Sequence, residues 1–87
     1  MTVYLIHFDE PYRHARHYLG VAQNLDNRLA EHRQGSGARL MQVVGEAGIG
    51  WQVARTWTGD RKLERHLKNR HDAPGLCPLC LFKGVLN

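Results

Sequence analysis

From Val3 to Phe8 the chain is a run of β-branched and aromatic side chains closed by Asp9-Glu10-Pro11, which predicts a strand ending in a loop. His17-Tyr18-Leu19-Gly20-Val21-Ala22 has strand composition too, and the short polar stretch between the two predicts an antiparallel hairpin rather than a crossover. From Asn24 the period lengthens. Leu25 and Leu29 recur at i,i+4, Asp26 suits the start of a helix, and Gly35 supplies a stop. Leu40, Val43, Val44 and Ala47 then predict a second helix, with Ser36 as its N-cap and Gly48 just past its end.

Trp51, Val53 and Trp57 return to period 2 as a third strand, with Arg55 the odd member of its apolar face. Leu63 and Leu67 mark a third helix from about Asp60 to Asn69, and Pro74-Gly75 lies beyond it. The order β-β-α-α-β-α is not strictly alternating. It predicts an α+β fold, a small three-stranded antiparallel sheet flanked by helices, in one domain over residues 1–87 whose tail, 70–87, holds a Cys pair.

An 87-residue chain with 43% apolar side chains is too short for two cores and too apolar for disorder. Twelve Lys and Arg against eight Asp and Glu give +4, and most of the cations are Arg, whose planar fork matches phosphate oxygens. An anionic partner is therefore expected, with surface solubility as the plainer account of the same charge. The apolar start lacks a basic segment before it and is too short for a secretory leader, and no stretch has the length of a membrane span; a cytoplasmic protein without membrane contact is expected, with reduced thiols.

Among residues able to do chemistry, Arg28 and His32 share a face of the first helix at i,i+4, where an anion between them would reconcile a cation beside an imidazole. A solvated helix face is the plainer account of them. Glu64 is a lone carboxylate among Arg61, Lys62, Arg65 and Lys68: either half of an ion pair with Lys68, or the single acid that holds a hard divalent ion beside phosphate-binding cations. Tyr4 and Tyr18 lie on the first two strands, where packing is the default role; hydroxyls converging near Arg28 would instead position or deprotonate a water. Gly20 marks a bend or a close backbone approach.

In order, Thr2-Val3-Tyr4, Tyr18-Leu19-Gly20, Arg28 with His32, Gly35-Ser36-Gly37-Ala38-Arg39, and Glu64 on a late helix make a series that resembles the GIY-YIG nuclease superfamily. That family includes homing endonucleases, some restriction enzymes and the N-terminal nuclease domain of bacterial excision repair. The likeness covers residues 2 to about 69; Tyr18-Leu19-Gly20 keeps the second motif, and Thr2 stands where the family has Gly. The resemblance implies a metal-dependent endonuclease that hydrolyses phosphodiester bonds in DNA. Tyr4 and Tyr18 would line its site, one as general base or water-orienting group. Arg28 would stabilise charge on the phosphate, His32 would support it or move a proton, and Glu64 would bind one magnesium or manganese ion. Arg39 and Arg61 are the cations expected nearest the nucleic acid.

Cys77-Pro78-Leu79-Cys80 has the spacing of half a zinc site, and His66 and His71 upstream would complete a Cys2His2 set by count; a buried thiol pair or a redox pair are the other readings. His7, His14 and His17 carry no signal of their own, and Trp51 and Trp57 read as core. Two further function classes stay open: a non-catalytic nucleic-acid-binding module on the same fold, and a zinc-stabilised interaction domain. Whether the chain works as a dimer is open as well.

Overall fold

The structure, a computed structural model, describes residues 1–80; the last part of the expected tail, 81–87, lies outside the described residues. β1 (Thr2–Tyr12) pairs antiparallel with β2 (Ala15–Ala22) on one side and β3 (Trp51–Thr58) on the other, giving the sheet order β2-β1-β3. Two helices, α1 (Leu25–Gln34) and α2 (Arg39–Glu46), link β2 to β3, and α3 (Arg61–Asn69) follows. The α+β architecture and its β-β-α-α-β-α order are as the sequence predicts. The tail adds a short helix, α4 (Ala73–Leu76), that the Pro74-Gly75 pair does not suggest, although Pro fits the first turn of a helix.

The unbroken apolar run of β1 follows from its central place. Successive side chains point to opposite faces, and both faces are covered. Tyr4, Ile6 and Phe8 join Ala22, Met41 and Val44 in one buried cluster, with Leu25 and Leu29 packed against it, so α1 and α2 cover that face. Val3 and Leu5 join Leu67, Leu76 and Cys77 in a second cluster with Leu63, so α3 and α4 cover the other. Residues 3 to 8 are accordingly all buried.

Local chemistry sets the helix ends. The Asn24 side chain accepts a hydrogen bond from the Asn27 N–H, and that of Asp60 accepts from the N–H groups of Lys62 and Leu63. Gly35 ends α1 in a left-handed conformation, φ 78°. Ser36 is not the cap of α2: Ala38 takes the N-cap position without a side-chain bond, and the Ser36 hydroxyl donates instead to the Glu31 carbonyl at 3.3 Å. Arg55, opposite Leu5 beside a register shift between Leu5 and Ile6, is exposed; its guanidinium lies 4.8 Å over the Trp57 ring and donates to the Leu76 carbonyl at 3.5 Å. No helix of the described residues is long and apolar enough to cross a membrane.

Candidate functional site

The ladder between β1 and β2 places Tyr4 opposite Gly20 and Ile6 opposite Tyr18, so both phenols project to the face covered by α1. Their ring centroids are 6.1 Å apart. His32 on α1 comes down onto them: its Nε2 lies 2.7 Å from the Tyr4 hydroxyl, and its ring meets that of Tyr18 edge-on at 5.4 Å. Trp51 closes the far side of the imidazole at 6.4 Å. Two glycines make the fit. A Cβ at Gly20 would lie 2.6 Å from the Tyr4 hydroxyl, and one at Gly37 would run into Nδ1 of His32. The close approach at Gly20 is therefore to the two phenols, and the glycine-rich segment after α1 backs the imidazole.

Arg28 and Glu64 are within electrostatic reach of both phenols, the Arg28 charge favouring their ionised forms and the Glu64 charge opposing them. Burial outweighs both. It pushes Tyr4 far above the ordinary phenol range, with the neighbouring Tyr18 adding to the rise, and it raises Tyr18 as well. Arg28 acts to lower the phenols, but desolvation wins, and Tyr4 is a protonated hydroxyl at neutral pH. His32 is the complement, held neutral by burial first and by Arg28 second.

Arg28 and His32 do share the α1 face, but they do not form a joint anion cradle. His32 is buried against the sheet, while Arg28 is half exposed with its Nη1 3.5 Å from Oε2 of Glu31. Such a pair contributes little, so the guanidinium is available to a phosphate at small cost. The Glu64 carboxylate is mostly buried, its side chain 19% exposed, and Nζ of Lys68 stands 3.7 Å away. Glu64 pairs with Lys68, as one of its two sequence accounts expects, and its charge also reaches the phenols. Arg39 hydrogen-bonds Gln42 at 3.3 Å on the first turn of α2, and Arg61 is exposed at the first turn of α3. An open cleft of about 400 Å3 between β2, α3 and α4 reaches Tyr18 and Lys68.

On the opposite sheet face a second constellation appears that the sequence reading missed in part. His7 pairs with His17 across the same ladder, and the tail brings Cys77 and Cys80 onto them. The ligand atoms of these four residues all lie within 4.8 Å of one another, an arrangement that could hold a metal ion. His66 and His71, the imidazoles expected to complete the Cys pair, are exposed and are not members of the group. Closeness in sequence pointed to them, whereas strand pairing supplies the actual partners. The signal was present: once the hairpin is drawn, period 2 puts His7 on the Val3 and Leu5 face, and the ladder sets His17 against it.

No family model, curated protein or solved structure matches the chain. The functional reading therefore stands on the residues and their geometry.

Proposed function

We propose that the chain is a metal-dependent endonuclease that hydrolyses phosphodiester bonds in DNA. The observation that carries this reading is the convergence of Tyr4, Tyr18 and His32 in direct contact, with the Arg28 and Glu64 charges acting on both phenols. These side chains come from four separate elements, and packing alone does not require a guanidinium and a carboxylate whose charges reach two tyrosine hydroxyls.

A phosphodiester transition state gathers negative charge on oxygen, so catalysis is chiefly positioning and cationic stabilisation. Arg28, half exposed at the rim, binds the phosphate and stabilises that charge. The partly exposed Tyr18 hydroxyl orients the attacking water, with the buried Tyr4 behind it. Tyr4 is too weak an acid to work as a preformed phenolate and is too deeply buried to meet water itself, but its contacts offer a relay: Tyr18 takes a proton from water as it gives its own to Tyr4, and the neutral His32 imidazole takes the Tyr4 proton. Lys68 and the cleft beside Tyr18 accommodate the neighbouring backbone of the substrate.

Glu64 fits a hard divalent cation: it is a single carboxylate, its side chain 19% exposed, whose charge reaches both phenols, and magnesium or manganese needs little more than one carboxylate, waters and substrate oxygens. When bound there, such an ion supplies Lewis-acid polarisation of the phosphate. The thiol and imidazole donors of His7, His17, Cys77 and Cys80 are the wrong kind for magnesium and suit zinc, so the two centres are assigned to different ions.

The test is cleavage of supercoiled plasmid and of branched DNA by purified protein with magnesium or manganese, beside Glu64→Ala. Nicking that depends on the added ion and disappears in Glu64→Ala, with folding retained, supports the reading. Wild-type protein that binds DNA regardless of chelator and never cuts it would instead identify a non-catalytic binding module.

A further inference from the structure

The geometry of the second constellation goes further than a group of donors that happen to be close. Nδ1 of His7 lies 3.3 Å from Nε2 of His17, 3.4 Å from Sγ of Cys77 and 3.6 Å from Sγ of Cys80, and Nε2 of His17 lies 3.3 Å from Sγ of Cys80. Zinc bonds of about 2.3 Å to sulfur and about 2.0 Å to nitrogen, at tetrahedral angles, require nitrogen–nitrogen edges of about 3.3 Å and sulfur–nitrogen edges of about 3.5 Å. Each of the distances above falls within a few tenths of an ångström of the corresponding tetrahedral edge. Cys77 and Cys80 form no disulfide.

We infer that His7, His17, Cys77 and Cys80 form a closed, four-coordinate zinc centre whose role is structural. It takes Nδ1 from His7 and Nε2 from His17, which fixes opposite tautomers for the two rings. On binding, each thiol loses its proton to solvent, so one dication meets two thiolates and two neutral imidazoles and the centre is electrically neutral. That is the state which a partly buried sheet face tolerates; His7 is 3% exposed and Cys77 is fully buried. Four protein ligands leave no open position for a reacting water, which separates the centre from hydrolysis.

Its structural task is visible in what it joins. Two ligands sit on the β1–β2 hairpin and two on the segment just after α4, which is only four residues long. Apart from the ligands, that segment is held by the burial of Leu76, with Ala73 and Leu79 packed alongside, against the Val3 and Leu5 cluster and by the Arg55 bond to the Leu76 carbonyl. So short a helix has little stability of its own. The ion fastens the tail to the back of the same hairpin whose front carries Tyr4 and Tyr18. The inference does not depend on the nuclease reading.

The experiment uses the whole chain, purified without chelator, with metal content measured by mass spectrometry and cobalt(II) as a spectroscopic stand-in. About one zinc per chain is expected, together with the intense visible bands of tetrahedral cobalt and a thiolate-to-cobalt charge-transfer band. Cys77→Ser, Cys80→Ser and His17→Gln should lower zinc content at least tenfold, while His66→Ala and His71→Ala retain it. Should the ligand variants misfold, wild-type protein still decides the matter: both thiols should be protected from a thiol reagent and become reactive once a chelator is added. Wild type that refolds metal-free in excess zinc, a cobalt spectrum without the thiolate band, thiols equally reactive with and without chelator, or loss of zinc in the His66 or His71 variant would each overturn the assignment.

Discussion

Gly20 stands directly across the β1–β2 ladder from Tyr4, and a methyl group there would lie 2.6 Å from both Cζ and the hydroxyl oxygen of the phenol. It would also come within 2.9 Å of the Tyr18 ring. Tyr4 is 1% exposed, so its ring has no open space to move into. Gly20→Ala should therefore cost about 1 to 3 kcal/mol of stability, the range for overpacking a filled core. Because the atoms displaced are the two phenols, cleavage should fall much further than stability does. Denaturant unfolding and plasmid nicking, both at a temperature where the variant is folded, check this; unchanged nicking would mean that the phenol positions are unimportant to the reaction.

The two tyrosines should respond differently to loss of the hydroxyl. His32 already has one buried nitrogen, Nδ1, without a hydrogen-bond partner. Tyr4→Phe removes the partner of Nε2 as well, leaving the ring unsatisfied at both ends, which costs about 1 to 3 kcal/mol. Tyr18 meets His32 through a ring contact and is only half buried, so Tyr18→Phe should change stability by less than Tyr4→Phe. Both variants should lose cleavage. Paired unfolding curves and nicking assays separate the two effects, and equal stability losses would contradict the role given to the Tyr4–His32 contact.

Much of this arrangement was legible in the chain. The three strands and the helices α1 to α3 follow from periodicity, and Tyr4, Tyr18 and His32, singled out in the sequence, meet in the fold. The least legible part was the partnership of the cysteines. His7 reads as a polar interruption in an apolar strand and His17 as the start of another; only the ladder that pairs them shows that they share a face. The phenol acidity was also out of reach, because it depends on how deeply β1 is covered by α1, a packing quantity that no spacing encodes. Ser36 misled for a local reason: its hydroxyl was claimed by the carbonyl of Glu31 at the end of the preceding helix.

Acid should destabilise the protein through His32. Burial and the Arg28 charge lower its proton affinity in the folded chain, while in the unfolded chain it takes a proton near the ordinary value of 6.5. Below that pH the unfolded state holds more protons, so the His32 contribution is complete above about 6.5 and is lost as pH falls through the lower folded value. His32→Gln keeps an amide able to meet the Tyr4 hydroxyl but cannot titrate. Melting temperatures measured from pH 7.5 downward should fall more steeply for wild type than for His32→Gln. Parallel curves would show that the buried imidazole is not a source of acid sensitivity.

Removal of metal should act on the two centres in distinguishable ways. On the proposed assignments, chelation followed by dialysis should take both ions, and magnesium alone should then restore only the one proposed at Glu64. The phenol site is built on the sheet face packed by α1 and α2, and its contacts do not include Cys77 or Cys80. Magnesium should therefore restore cleavage at low temperature while the melting temperature stays depressed, because the tail has lost its attachment to the hairpin. Zinc added afterwards should raise the melting temperature without adding to the low-temperature rate. The pairing of calorimetry with nicking assays at each step reads both quantities. Full thermal recovery with magnesium alone would place the stabilising ion at Glu64, and cleavage that needs zinc as well would mean that the hairpin cannot hold Tyr4 and Tyr18 in position once its back face is released.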